Sequence, residues 1–181
     1  NAVYGFISMI LRVISDLHPT HLVVAFDTPK PTFRNKLYKD YQIQRPKMDE
    51  TLIPQIERVH RVVHEMGIPF FEKDGYEADD VIGTLVSKTG IDEAIIVTGD
   101  RDMLQLVNGK TKIYMPVKGL SVSKLFGEKE VVEKYGIKPS QFIDYKALVG
   151  DQSDNYPGVA GIGPKTAVTL IVKFDTLEKL Y

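Results

Sequence analysis

The spacing of apolar residues changes along the chain. Between Asn1 and Leu17, Val3, Phe6, Ile7, Ile10, Leu11, Val13, Ile14 and Leu17 recur at three- and four-residue steps, which predicts a helix with a broad apolar face. Leu22-Val23-Val24-Ala25-Phe26 is an unbroken apolar run ending at Asp27, and predicts a buried strand. Ile68–Phe71, Ala94–Val97 and Lys112–Met115 predict further strands. Between them, Glu50–Met66 (closed by Gly67) and Glu77–Lys88 predict helices, the latter with Ala78, Val81, Ile82 and Leu85 on one face. Asp102–Val107 predicts a short helix. In the last third the strands stop, and helices are expected near Lys129–Lys134, Pro139–Val149 and Pro164–Phe174, joined by Gly- and Pro-bearing turns. Alternating strands and helices predict an α/β fold, a parallel sheet flanked by helices, over residues 1–127. A helical subdomain is expected over residues 128–181.

One stretch fits neither pattern. Residues 28–48 carry Pro29, Pro31 and Pro46, and Lys30, Arg34, Lys36, Lys39, Arg45 and Lys47 stand against a single acid, Asp40. The expectation is a basic excursion from the core, partly helical from Thr32 to Tyr41.

Composition narrows the chemistry. The chain has 181 residues, 43% of them apolar, enough for a sizeable core. It has no Cys, which excludes disulfide scaffolds, thiolate zinc sites and Cys nucleophiles, and suits a reducing, cytoplasmic setting. No apolar run approaches the ~18 residues of a membrane span. A formal charge of −1 excludes a globally basic nucleic-acid binder but leaves room for a local basic patch. The chain opens Asn1-Ala2-Val3, without Met or a signal-peptide pattern, and is expected to be a fragment or to lack its first residues.

Acidic residues gather where the predicted elements end. Asp27 follows one strand, and Thr98-Gly99-Asp100-Arg101-Asp102 follows another. Glu77-Ala78-Asp79-Asp80 opens a helix, and Gly150-Asp151-Gln152-Ser153-Asp154-Asn155 lies between helices. Each cluster has an ordinary explanation. First-turn acids favour a helix dipole, Asp102 suits an N-cap, and Asp27 suits a turn. Together they are costlier: like charges ~4 Å apart repel by about 4 kcal/mol at an effective dielectric near 20. In an open parallel sheet the carboxyl ends of the strands share one crevice, so Asp27, Glu77, Asp79, Asp80, Asp100, Asp102, Asp151 and Asp154 are expected to meet there and to need cations. Oxygen-only ligands select a hard ion, Mg²⁺ or Mn²⁺ in its place, and two such ions suit in-line phosphoryl chemistry. His60 and His64 are spaced four apart on a predicted helix, but no other residue supports zinc.

Two segments suit a nucleic-acid backbone. Pro157-Gly158-Val159-Ala160-Gly161-Ile162-Gly163-Pro164-Lys165-Thr166-Ala167 combines a tight glycine turn with a helix start, so free N–H groups and Lys165 can meet a phosphate; a purely steric αα-corner is the plainer alternative. In the basic excursion, Phe33, Tyr38 and Tyr41 can stack on bases while Arg34, Lys36, Lys39 and Arg45 hold phosphates; a solvated loop is the alternative there.

Taken in order, Ala25-Phe26-Asp27, Phe33-Arg34 through Arg45-Pro46, Gly75-Tyr76-Glu77-Ala78-Asp79-Asp80, Val97 to Asp102, Gly150 to Asn155 and the Pro157–Ala167 hairpin resemble the flap endonuclease family, in the branch formed by the 5′-to-3′ nuclease domains of bacterial DNA polymerase I. The resemblance spans essentially the whole chain. It implies a PIN-like core, a helical arch at about residues 28–48 and a C-terminal helix-hairpin-helix (H3TH) subdomain. It implies hydrolysis of phosphodiesters at 5′ flaps and nicks of DNA, as in primer removal and repair. Two Mg²⁺ ions are implied, and a K⁺ ion at the hairpin. By matching position, Asp27, Glu77, Asp79 and Asp80 serve one metal site, and Asp100, Asp102, Asp151 and Asp154 mainly the other. Arg34 and Arg45 hold the scissile-strand phosphates, with Tyr41 beside them as a further candidate catalytic group. Lys36, Gly161, Gly163, Lys165 and Thr166 complete the candidate DNA contacts. The partner implied is branched or nicked duplex DNA with a 5′ flap, with a fused or separate polymerase and no membrane.

Two departures stand out. The family begins with an Asp-bearing strand upstream of the helix that starts here. Its arch motif reads Tyr-Lys-x-x-Arg, where this chain has Tyr41-Gln42-Ile43-Gln44-Arg45. A branched-DNA binding module with weakened cleavage is therefore one alternative, and a PIN-type ribonuclease another, although the duplex-gripping hairpin argues against the second.

Overall fold

The structure, a computed structural model, describes residues 2–88, 90–118 and 122–181. Helix α1 (Ala2–Leu17) packs on α3 (Ile53–Glu65), burying Ile10 and Val13 on one and Val59 and Val63 on the other. Below them β1 (Val24–Ala25) pairs in parallel with β2 (Phe70–Phe71). Phe6, Leu22, Phe26, Ile68 and Phe70 complete this apolar cluster. His60 belongs to it: its ring stacks on Phe26 with centroids 3.8 Å apart and meets the edge of Phe70. His64 is exposed beside Glu65, so the pair does not converge on a metal.

The second cluster is larger. Strand β3 (Ala94–Val97) pairs in parallel with β4 (Thr111–Lys118), which pairs antiparallel with β5 (Val122–Phe126). Ile96, Ile113, Met115 and Phe126 from these strands are buried with Met103 and Leu104 of a 3₁₀ turn (Asp102–Leu106). The same core takes Val131 of α5 (Glu128–Tyr135), Phe142 and Leu148 of α6 (Phe142–Val149), and Ala167 and Ile171 of α7 (Pro164–Phe174). The C-terminal helices thus share one core with the strands that precede them. A last short helix, α8 (Leu177–Leu180), packs on α7.

The predicted strands therefore pair in parallel, but in separate pieces: among the described residues β1 and β3 are not hydrogen-bonded to each other. Strand β5 is absent from the apolar pattern because only Phe126 of it is fully buried, as on an edge strand. The helix expected over Thr32–Tyr41 is shorter, α2 (Phe33–Leu37), ending where Tyr38 turns extended. The helix expected from Pro139 begins as a 3₁₀ turn over Pro139–Gln141. Among the described residues no helix is long and apolar enough to cross a membrane.

Candidate functional site

The acidic residues are placed by strand ends, helix starts and one tight loop. Asp27 lies two residues past the end of β1, and its Oδ1 accepts the Ala78 N–H at 2.8 Å, which ties the strand end to the first turn of α4 (Ala78–Lys88). Asp79 and Asp80 lie in that same turn. Past β3, Asp100 Oδ1 accepts the Asp102 N–H at 2.8 Å, folding the two carboxylates into one turn.

The third group depends on two glycines. Strands β6 (Gly150–Asp151) and β7 (Tyr156–Pro157) form a minimal antiparallel pair that closes the Asp151–Asn155 loop. Gly150 has φ +79°, and a Cβ there would stand 2.2 Å from Gly158 N. A Cβ on Gly158 would stand 2.2 Å from the Val149 carbonyl carbon. Only two residues without side chains allow the backbones to approach this closely. Inside the loop Asp151 Oδ1 accepts from Ser153 N at 2.6 Å and Asp154 N at 3.2 Å, which sets its orientation.

Asp102, Asp151 and Asp154 converge, each with a carboxylate oxygen within 4.8 Å of the others. Lys146, on the last turn of α6, reaches into this group. Its Nζ lies 2.8 Å from Asp102 Oδ1 and also pairs with Asp151 Oδ2. Burial disfavours the ammonium, but the two carboxylates outweigh it and hold its pKa above the ordinary lysine range. Burial likewise disfavours the Asp151 carboxylate, yet Lys146, Ser153 and the Asp154 N–H bring its pKa down to about 2. For Asp102 burial wins over Lys146, and its pKa is raised.

Among the described residues no cation pairs with Asp79. Burial first, then Asp100, Asp27, Glu77 and Asp80, push it up to about 6. These neighbours show that the acids from β1, α4 and the turn after β3 form one electrostatic group, with Asp79 feeling all of them. Glu77 and Asp80 also face the arch, which supplies polar partners to both, while Asp80 Oδ2 also accepts the Glu77 N–H at 2.9 Å.

The arch lies folded over the acids. Arg34 on α2 grips Asp80 with both terminal nitrogens, at 2.7 and 2.8 Å, and lies 3.7 Å from Glu77. This fork–fork geometry keeps the Asp80 pKa below the usual carboxylate range. Tyr41 donates to Glu77 Oε2 at 3.2 Å, and burial, then the Glu77 charge, raise its pKa. Gln42, at φ +54°, donates from Nε2 to Asp154 Oδ1 and to the Tyr41 hydroxyl, both at 2.9 Å. Arg45 approaches the same Asp154 oxygen at 3.3 Å. Tyr38 donates to the Asn155 carbonyl at 2.9 Å, and Asn155 Nδ2 donates to the Asp40 carbonyl at 2.9 Å. Lys36 sits exposed on α2, away from these contacts.

At the hairpin, Gly161 takes φ +83°, and Gly163 is the N-cap of α7 with Pro164 following. The first intrahelical bond runs from Ala167 N–H to Gly163 O. The N–H groups of the exposed Lys165 and Thr166 precede it and point out of the helix start. Three residues of consequence carry no clear signal in the sequence: Lys146, Gln42 as a donor to Asp154, and Asn155. Lys146 is traceable only as a lone cation in an apolar helix five residues before Asp151.

A family profile described as the 5′-3′ exonuclease N-terminal resolvase-like domain matches residues 1–136, and the 5′-3′ exonuclease C-terminal SAM fold matches residues 137–181. The chain belongs to the 5′-3′ exonuclease family. It is 41% identical over 185 residues to DNA polymerase I of Lactococcus lactis subsp. cremoris, and 42% identical over 182 residues to that of Bacillus subtilis. These alignments cover 100% and 99% of this chain but 21% of each polymerase, so the chain spans about a fifth of the length of these relatives. Among solved structures, the T5 5′-exonuclease with bound divalent metal ions (zinc) aligns at TM-score 0.80 and 23% identity, over 98% of this chain and 69% of that one. The catalytic core of Rad2 in complex with DNA aligns at TM-score 0.65 and 20% identity, over 98% of this chain and 53% of that one. Both likenesses establish the exonuclease fold.

The residues present suit a divalent cation. Asp102, Asp151 and Asp154 offer converging oxygens and no softer donor, and Asp79 stands among like charges that a cation would offset.

Proposed function

We propose that this chain is a metal-dependent 5′-to-3′ nuclease that hydrolyses phosphodiesters at 5′ flaps and nicks of duplex DNA. The observation that carries the reading is the convergence of Asp102, Asp151 and Asp154 beneath an arch that presents Arg34, Tyr41 and Arg45 to the same crevice. Asp102, Asp151 and Asp154, with Asp100, would hold one Mg²⁺, and Asp27, Glu77, Asp79 and Asp80 a second, with Mn²⁺ as a substitute. When bound, such ions neutralise phosphate charge and acidify the attacking water. Arg34 and Arg45 are placed to leave their carboxylates for the scissile phosphate, where a guanidinium fork matches two phosphate oxygens. Tyr41, kept neutral, can donate a hydrogen bond to the same phosphate. The Gly161–Thr166 turn would hold the duplex backbone through free N–H groups and Lys165, with K⁺ as its counter-ion. In longer relatives a polymerase region shares the chain, and removal of 5′ ends ahead of synthesis, in a bacterial cytoplasm, is the corresponding role.

The test is cleavage of a 5′-labelled flap on duplex DNA by the whole chain, in Mg²⁺ and in EDTA, with Asp100→Ala as control. Release of the flap in Mg²⁺ alone, absent in the variant, is expected. Tight flap binding without turnover in Mg²⁺ would instead favour the binding-module reading, which Gln42 supports. Gln42 places a neutral amide on Asp154 where the family's motif has Lys.

A further inference from the structure

Beside the acidic crevice, on elements separate from the arch, three exposed cations stand together. Arg101 lies between Asp100 and Asp102, Lys124 on β5 and Lys134 at the end of α5. The two ammonium groups share one ring: Lys124 Nζ is 5.2 Å and Lys134 Nζ 4.9 Å from the centroid of Phe126, itself 1% exposed. Lys134 also lies 5.4 Å from the Tyr135 ring.

None of the three is ion-paired among the described residues. Asp102 is held by Lys146 and Glu133 by Lys129. The Gly127 N–H, then the charges of Lys124 and Lys129, lower the Glu130 pKa, so Glu130 offsets Lys124 only from a distance, without an ion pair. Burial, then the charges of Arg101 and Lys124, lower the Lys134 pKa, so the cations face one another. Three like charges on one patch repel one another, and an anion bound among them would relieve that repulsion. The patch also adjoins the chemistry. The Tyr135 hydroxyl feels the charges of Arg101, Asp102 and Lys146, and it is buried without a hydrogen-bond partner among the described residues.

We propose that Arg101, Lys124 and Lys134, on elements outside the arch, form a phosphate-binding track that carries the DNA backbone along the metal centre. This rests on the nuclease reading above and adds a binding surface to it. The track grips phosphodiesters and reads no bases, so its contribution is electrostatic and salt-dependent.

The test is fluorescence anisotropy of a labelled 5′-flap duplex in EDTA, where no cleavage occurs, across a range of KCl of roughly 50 to 200 mM. Lys124→Met/Lys134→Met keeps the apolar stems over Phe126 and removes only charge; Arg101→Gln probes the track without touching that ring. Each phosphate that a variant no longer neutralises is expected to reduce the log–log salt slope by about 0.9 and the affinity by roughly three- to ten-fold, equally for different sequences. Thermal melts matching the parent chain confirm that the fold is intact. Unchanged affinity and slope in both variants, with the parent still cleaving flaps in Mg²⁺, would overturn the track alone. A parent chain that neither binds nor cleaves the flap would overturn the nuclease reading together with it.

Discussion

At the scale of single residues the site is a problem of uncompensated charge, and its solutions differ. Lys146 offsets Asp102 and Asp151 from within the fold. Replacing it by Met should destabilise the metal-free protein by about 1–2 kcal/mol, since the pair is only partly buried. The same change should enlarge the rise in Tm that Mg²⁺ produces, which paired melts in EDTA and Mg²⁺ would measure. Asp79 pairs with no cation among the described residues and is raised to about 6, above its unfolded value. A group raised on folding contributes stability that is full below its unfolded pKa and lost as pH rises through the folded one. Metal-free protein should therefore gain up to about 1–2 kcal/mol between about pH 7 and pH 5, after allowing for solvent screening. Asp79→Asn should reduce that slope, leaving the smaller share of Asp102 and Glu77, and Mg²⁺ should flatten it. An unaltered pH–Tm curve for the variant would count against Asp79 as the strained carboxylate.

At the scale of elements, the site hangs on the turn that crosses Gly150 and Gly158. Gly158→Ala places a methyl group against backbone that cannot step aside. A destabilisation of about 2–3 kcal/mol or more is expected from overpacking, with Asp151 and Asp154 displaced together and flap cleavage abolished. Urea denaturation and the cleavage assay would both report it. The arch is a different kind of element. Its helix is only Phe33–Leu37, and its position rests on polar contacts with Asp80, Glu77, Asp154 and Asn155 rather than on buried side chains. Arg34→Ala should leave global stability within about 0.5 kcal/mol yet speed amide exchange over residues 33–45, because the fork to Asp80 is the strongest of those contacts.

At the scale of the molecule, the two apolar clusters are unequal. The one around β3, β4, α6 and α7 buries many more side chains than the one around α1 and α3. Ile113, fully buried in the larger, should cost about 2–5 kcal/mol when cut to Ala. Native-state hydrogen exchange should show α1 and α3 opening at lower free energy than β3 and β4; equal protection of both regions would refute that ordering. This division also marks what could be read from residues alone. Periodicity determined α1, α4, β3 and α7 almost to the residue, because each buries one regular face and local spacing records that directly. The acids of the crevice were legible as clusters, because strand ends and helix starts are local events. The motif order was enough to mark the family. What the chain order could not show was who offsets whom. Lys146 meets Asp102 across separate elements, and Arg34 meets Asp80 across 46 positions of sequence. Nor could it show that His60 is a stacking ring, that β5 is an edge strand with Phe126 its one fully buried residue, or that β1 and β3 stand apart. Local pattern sets which face of an element is apolar; only tertiary packing decides which charges come within hydrogen-bonding distance, and in this protein that decides the site.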